Sequence, residues 1–336
     1  MVENRSVQTT EFKKNSIISK LTNLLLKSSI LPFCDKKNQL IYREQFNEAS
    51  RSIEIIVDNI LNFNIKHTPI LLYCITNGLI SYHGTQSKIK TKKKFLVYTQ
   101  YDHKIPFVPE EDVMYTYLLS QLAYIGKQAS EVLSKKEIKQ LTDCVIDLNN
   151  SAKEIFLDVP TTMPRFYNHN RINLKAIQLL DKQVNCCPSL HIGFSLLFDN
   201  ISEKILSGKI EDNSFFESIR YSTKRMFNSV ANVKQHSIID IAGGTLLAKI
   251  IFERNFEEDF NDLTSEYPEM QKINHHFNYN ILNEMYNEIL DLYYYTKDFS
   301  KTFLFYLKDK GYPEMFPEDK INNCYFNTIT RKIERF

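Results

Sequence analysis

The amino-acid sequence predicts an all-α fold, and three observations lead to that class. The chain has 336 residues but only eight glycines, whereas the turns and phosphate loops of α/β nucleotide-binding folds consume glycine. Neither the GxGxxG pattern nor the P-loop pattern of the common nucleotide-binding loops occurs. Leu, Ile, Lys, Glu and Asn are abundant, and no convincing strand segment is visible. We therefore expect helices packed around a large core.

The expected elements follow from apolar residues at helical spacing and from turn signals. After a polar tail at residues 1–16, helices are predicted at residues 17–30, 45–63, 68–82, 111–127 and 135–155, with a basic loop or short strand at 87–94. Ser134 is expected near the start of the last of these helices, and Pro160 and Pro164 indicate a loop over residues 158–170. Further helices are predicted at 189–206, 214–227, 234–254 and, as one long helix, at about 280–307.

Composition and charge argue against several classes of protein. The 42 basic and 40 acidic residues nearly cancel, so we expect no nucleic-acid partner. The mean hydropathy of −0.33 and the lack of a clean apolar run of about 20 residues argue against integral membrane insertion, while peripheral contact with a membrane stays open. The first residues carry no secretory signal, and six cysteines without CxxC spacing indicate reduced thiols and no zinc site. We expect a soluble, cytoplasmic protein whose oligomeric state the sequence leaves open.

Two histidines stand where phosphate chemistry is expected. Ser189 opens an apolar helix, and the unpaired N–H groups at a helix start attract anions. His191 falls in that first turn. His236 and Asp240 are four residues apart, so on a helix they would share a face. There the carboxylate can hold one imidazole nitrogen and leave the other free to attack or to transfer a proton.

Two cations accompany the histidines. Arg165, in a loop stiffened by Pro164, carries a planar guanidinium that suits bidentate binding of phosphate. Lys234 lies beside His236 in the sequence and supplies a point charge. Each of these features is common by chance. Together, however, the three segments that contain them, residues 160–166, 186–195 and 229–244, predict a phosphate site.

The three segments resemble the signature motifs of the type 2 phosphatidic acid phosphatase superfamily, which also contains vanadium haloperoxidases and soluble bacterial acid phosphatases. The family pattern is Lys-x6-Arg-Pro, then Pro-Ser-Gly-His, then Ser-Arg-x5-His-x3-Asp. The chain has Pro188-Ser189-Leu190-His191 for the second motif, and Ser229, His236 and Asp240 for the third. With the segment YDHKIPFVPE at residues 101–110, it is most similar to the inositol phosphorylceramide synthase-like branch. The resemblance covers about residues 95–255.

The chain departs from the family pattern at two cations. Asp158 stands where the family has the Lys before the motif arginine, and Val230 stands where it has the Arg after Ser229. Leu190 replaces the motif glycine, as in the synthase-like branch. Only Arg165 and Lys234 remain as candidate phosphate cations.

The resemblance implies a fold, a reaction and a role for each residue. It implies a helical bundle of the phosphatidic acid phosphatase/haloperoxidase type over residues 17–255, with residues 256–336 as a helical C-terminal extension packed on it. The implied activity is a metal-independent phosphoester hydrolase or phosphotransferase without a cofactor, acting on a lipid, prenyl or other small organic phosphate. His236 would be the nucleophile, Asp240 would orient it, and His191 would be the general acid and then the base. The implied phosphate ligands are Arg165, Lys234, Ser189 and the backbone near Leu190.

Two other functions stay open. Residues Asn261, Ser265 and Glu269 fit the spacing of a magnesium motif in prenyl-diphosphate enzymes of the terpene cyclase kind, but Pro268 would disrupt the helix that must align them. The second alternative is a non-catalytic binding protein on the same scaffold, which the two missing cations favour. The pair at residues 275–276, two adjacent histidines, is expected to be polar surface.

Overall fold

The structure is a computed structural model that describes residues 82, 84–182, 184–316, 319 and 321–336. The polar tail and the helices expected at 17–30 and 45–63, with almost all of the one at 68–82, lie outside the described residues. The helices that follow are α1 (Gln100–Lys104), α2 (Asp112–Val132), α3 (Lys135–Asp158), α4 (Ile172–Leu180), α5 (Leu190–Asn200), α6 (Asn213–Asn232), α7 (Ile238–Phe256), α8 (Tyr267–Ile273), α9 (Tyr279–Thr296) and α10 (Phe299–Asp309).

The described chain is mostly helical, as expected, but it also contains short strands. The segment expected at 87–94 to be a loop or short strand is the end of a helix up to residue 89, then a turn, and only residue 94 belongs to a strand. The other strands were not predicted. Strand β1 (Lys94–Leu96) pairs in parallel with β2 (Thr161–Thr162) and antiparallel with β3 (Glu314–Met315). Strands β4 (Cys324–Asn327) and β5 (Lys332–Arg335) form a hairpin in the C-terminal segment. The expectation of a purely helical extension after residue 256 was therefore wrong at its end. Strands of at most four residues are too short to show a period-two pattern.

Helix α7 lies at the centre of the core. Every residue from 238 to 248 is buried, and the helix packs against α3, α5 and α9. Gly244 permits the close crossing of α5, because a Cβ atom there would lie 2.4 Å from the carbonyl oxygen of Ser189. Gly243 likewise faces the ring of Phe303 on α10. The helices after residue 256 thus share the core of the preceding ones.

Local capping signals set the ends of several helices. Ser134 caps α3, accepting a hydrogen bond from the backbone N–H of Glu137, as the sequence indicates. The single helix expected at 280–307 was wrong, because α9 ends at Lys297 in a left-handed conformation (φ 53°). Asp298 then caps α10 by accepting from the N–H of Lys301 at 3.0 Å.

Among the helices of the described residues, none has both the length and the apolar character that crossing a bilayer requires.

Candidate active site

The start of α5 presents backbone N–H groups beside His191. Ser189 is the N-cap residue and its hydroxyl accepts from the N–H of Ile192 at 3.4 Å. The amides of Leu190 and His191 follow in the first turn, where N–H groups have no intrahelical acceptor. The N–H of Ser189 donates to the carbonyl of Asp240 at 2.8 Å, which joins the second motif to the third. The structure therefore places the N-terminal end of α5, the end of a helix that attracts anions, against α7.

His236 lies outside α7, contrary to the expectation that it would share a helix face with Asp240. Ser237 is the N-cap of α7, and Asp240 accepts from its backbone N–H at 2.8 Å. The Nδ1 atom of His236 lies 3.1 Å from the carbonyl oxygen of Cys186 and 3.6 Å from Oδ2 of Asp240. The closer contact is therefore the Cys186 carbonyl, which the sequence did not predict.

This contact determines the tautomer of the His236 ring. A carbonyl oxygen only accepts hydrogen bonds, so Nδ1 of His236 must carry the proton. In the neutral ring the lone pair then resides on Nε2. His236 is buried, with 6% of its surface exposed. Among the described residues no hydrogen bond to Nε2 is seen, so the geometry leaves one imidazole nitrogen with an available lone pair in a mostly buried site.

The two histidine rings lie close together with an interplanar angle of 52°, and Tyr115 of α2 lies beside both. The ring centroids of His191 and His236 are 5.7 Å apart. Tyr115 stacks on His191 with centroids 3.8 Å apart and an interplanar angle of 29°. Burial lowers the pKa of His191 well below its usual value, and the neighbouring His236 lowers it further. Both effects favour the neutral form of the His191 imidazole. Tyr115 lies in none of the three motifs, so no signal in the sequence could have indicated it.

Arg165 is buried behind the histidines and binds the turn that carries His236. Its Nη1 donates to the carbonyl of Gln235 at 2.7 Å and to that of Lys234 at 3.2 Å. Its Nη2 lies 3.5 Å from the carboxylate of Asp181. Burial is the largest single effect and acts to lower the pKa of Arg165, but Asp181 and the other nearby ionisable groups together outweigh it, so that the net direction is upward. Among the described residues no hydrogen-bond partner is found for its buried Nε.

Asp181 is a site residue that the sequence did not predict. Besides its contact with Arg165, it accepts a short hydrogen bond from the hydroxyl of Tyr82 and one of 3.4 Å from that of Tyr115. It therefore connects the guanidinium to the ring that stacks on His191.

The side chain of Lys234 is engaged by backbone rather than free beside the histidines. Its Nζ donates to the carbonyls of Asp102, at 2.6 Å, and of Ile105. Burial lowers the pKa of Lys234, and the carboxylate of Asp102 partly opposes that shift. An ammonium has three N–H donors, so one at most remains for a phosphate.

The two positions that depart from the family pattern supply no cation. Asp158 is exposed at the end of α3 and accepts from the hydroxyl of Ser300 at 2.8 Å. Val230 is fully buried, and its carbonyl accepts from the N–H of His236 at 3.1 Å. Arg165 and Lys234 are therefore the only Lys or Arg residues in the motif segments 160–166, 186–195 and 229–244, all of which the structure describes.

The residues of the alternative magnesium motif do not share one helix. Asn261 lies in a turn, where its Oδ1 accepts from the N–H of Leu263, and Ser265 lies in a 3₁₀ turn. Glu269 lies in the short helix α8 and pairs with Lys272. Residues 275 and 276 are exposed. Over the described part of the chain, no group of three His, Cys, Asp or Glu side chains is arranged to hold a metal ion.

Comparison with known proteins gives no relative: no family model, no curated protein and no solved structure matches the chain.

Proposed function

We propose that this protein is a phosphoester hydrolase or phosphotransferase that acts through a phosphohistidine on a lipid, prenyl or other small organic phosphate. The observation that carries the proposal is the pair of neighbouring histidines. Nδ1 of His236 is hydrogen-bonded to the carbonyl of Cys186, and no partner of Nε2 is seen among the described residues. The ring centroid of His191, at the N-terminus of α5, lies 5.7 Å from that of His236. A nucleophile with a defined tautomer, a second proton carrier and a helix start for the anion are the parts that phosphoryl transfer needs.

The proposed reaction has two steps. In the first, the Nε2 lone pair of His236 forms a bond to phosphorus while the bond from phosphorus to the leaving oxygen breaks. His191, protonated, gives its proton to that oxygen. In the second step, water or an acceptor hydroxyl attacks phosphorus, the N–P bond breaks, and neutral His191 takes the proton of the attacking group.

The charges of the site explain how a neutral His191 could become the acid. A phosphate monoester is an anion, and an opposite charge nearby favours the imidazolium form. Substrate binding would therefore raise the depressed pKa of His191 and recruit the proton that the first step consumes. The N–H groups of Leu190 and His191, together with Nε of Arg165, would hold the non-bridging oxygens.

The test compares two histidine variants on a panel of phosphoesters that includes p-nitrophenyl phosphate, lipid phosphates and prenyl phosphates. His236→Ala should abolish turnover and the burst of phosphorylated protein, which is detected after an alkaline quench because phosphohistidine is acid-labile. His275→Ala, at an exposed histidine, is the matched control and should keep full activity. Vanadate should inhibit the unaltered protein. Full activity in His236→Ala would refute the proposal.

One observation favours a second candidate, a phosphate-binding protein without turnover. Arg165 and Lys234 both donate hydrogen bonds to backbone carbonyls, and Val230 carries no charge. Few positive charges therefore remain to stabilise the negative charge of a phosphoryl-transfer transition state. Vanadate binding with no turnover of any phosphoester in the panel would identify this candidate.

A further inference from the structure

The turn between α6 and α7 carries His236, and a network of buried polar contacts holds it in place. The turn includes Lys234, whose backbone is left-handed (φ 54°), a conformation that is uncommon for a residue other than glycine. The surrounding structure must therefore compensate for this backbone conformation. Two charged side chains, Asp102 and Lys234, provide the contacts.

Asp102 binds the first residue of α7 directly. One carboxylate oxygen, Oδ1, accepts from the backbone N–H of Ile238 at 2.7 Å. The other, Oδ2, accepts from the N–H and from the hydroxyl of Thr99, both at 2.7 Å. Only 3% of Asp102 is exposed. The carboxylate thus connects the start of α1 to the start of α7.

Lys234 makes the reciprocal contact from the turn to the end of α1. Its Nζ donates to the carbonyls of Asp102 and Ile105, at the C-terminal end of α1. The carbonyl of Asp102 also accepts from the backbone N–H of Ile105 at 3.2 Å. A backbone bond of 2.9 Å from the N–H of Val108 to the carbonyl of Asn232 extends the same contact. Residues 102–108 are therefore bonded to both sides of the turn.

We propose that Asp102 and Lys234 are positioning residues, a buried pair that holds the 232–238 turn so that Nδ1 of His236 faces the carbonyl of Cys186. The pair acts through the turn and does not touch the reacting atoms. Lys234 is then a structural cation rather than a phosphate ligand. The effect of the pair on catalysis rests on the proposed function, whereas its effect on the orientation of His236 does not.

Removing either charge should release the turn. Burying a charge costs free energy unless it is compensated, and the carboxylate of Asp102 and the ammonium of Lys234 attract each other electrostatically. Loss of one charge therefore removes part of the compensation of the other. In Asp102→Asn, one acceptor oxygen becomes an amide donor that faces the N–H groups of Thr99 or Ile238. In Lys234→Met, the carbonyl of Ile105 loses its Nζ donor, while that of Asp102 keeps only the backbone N–H of Ile105.

The first experiment is nitrogen NMR of the full-length protein labelled with ¹⁵N-histidine, which needs no substrate. The unaltered protein should show the Nδ1–H tautomer for His236, assigned by its loss in His236→Ala. Asp102→Asn and Lys234→Met should convert that signal to a mixture of tautomers. Asp199→Asn is the matched control, since Asp199 is an equally buried carboxylate that pairs with Arg220, and it should leave the signal unchanged. Retention of the pure tautomer in both altered proteins would overturn the proposal.

Should Asp102→Asn fail to fold, Thr99→Val gives a milder test. It removes the hydroxyl donor to Oδ2 of Asp102 and keeps the backbone donor. The His236 signal should shift in the same direction by a smaller amount, and an unchanged signal would count against the proposal.

The second experiment is a kinetic double-mutant cycle on the best phosphoester. Each single variant should lower kcat about 100-fold, the typical cost of a displacement of about 1 Å, with KM little changed. The double variant should lose no more than either single one, and Lys234→Arg should recover part of kcat. A rise in KM alone for Lys234→Met would instead make Lys234 a phosphate ligand and overturn the assignment. If no phosphoester is turned over, the proposed function fails while the tautomer experiment still decides this inference.

Discussion

The crossing of α5 and α7 offers a sharp test, because two glycines at one contact have opposite steric environments. A Cβ atom at Gly244 would lie 2.4 Å from the backbone oxygen of Ser189, whereas ordinary contacts begin at 3.4 Å. Gly244→Ala must therefore move the helices apart by about 1 Å, the difference between these two distances. A Cβ atom at Gly193 would meet its nearest neighbour at 3.5 Å, which is an ordinary contact.

The expected free energies have opposite signs. Overpacking costs about 1–3 kcal/mol, and a clash with backbone belongs at the upper end because no side chain can rotate away. Alanine regains about 1 kcal/mol over glycine inside a helix. Gly244→Ala should therefore lower the free energy of unfolding by about 2 kcal/mol, whereas Gly193→Ala should raise it by about 1 kcal/mol.

Urea unfolding followed by circular dichroism, with linear extrapolation to zero urea, measures both values. The difference between the variants should be about 3 kcal/mol. Gly244→Ala should also impair catalysis, because His191 moves with α5 away from His236, and a displacement of about 1 Å costs about 100-fold in rate. Equal stabilities for the two variants, or a Gly244→Ala protein as stable as the unaltered one, would refute the close crossing.

Two further predictions concern the site and a helix cap. Phosphate or vanadate binding near pH 7 should take up as much as about one proton, because the anion raises the lowered pKa of His191. Calorimetry in two buffers of different ionisation enthalpy measures this uptake, and His191→Gln should remove it. Absence of proton uptake in the unaltered protein would contradict the account. Asp298→Ala should lower the free energy of unfolding, measured in urea, by about 1 kcal/mol through loss of the α10 cap. Lys301→Ala keeps the cap and loses only an exposed ion pair, so it should lower that free energy by less. Equal losses would show that the cap contributes nothing.

Local features of the chain were predictable where their physics is local. Apolar periodicity located most of the described helices, and the capping pattern at Ser134 marked a real helix start. The break at Lys297 was missed because the apolar spacing of α9 continues into α10, so periodicity alone does not show the cap at Asp298. Strands β1 to β3 were missed because their partners are distant in sequence, and the β4–β5 hairpin was missed because its strands are only four residues long.

The candidate site was predictable only as a set of residues. Motif spacing named His191, His236 and Asp240, which the structure does bring together. The spacing suggested that His236 and Asp240 share a helix face. In the structure, Asp240 lies in the first turn of α7, and His236 precedes the N-cap residue of that helix.

The sequence by itself determined the helical class, the absence of the common nucleotide loops and three residues of the candidate site, His191, His236 and Asp240, because composition, periodicity and spacing are properties of the chain alone. Only the tertiary structure decided what each side chain binds. It directed Nζ of Lys234 to the carbonyls of Asp102 and Ile105, and Nδ1 of His236 to the carbonyl of Cys186. The physical reason is that buried donors must find acceptors, and in this site those acceptors are backbone carbonyls brought close by folding, which no side-chain pattern encodes.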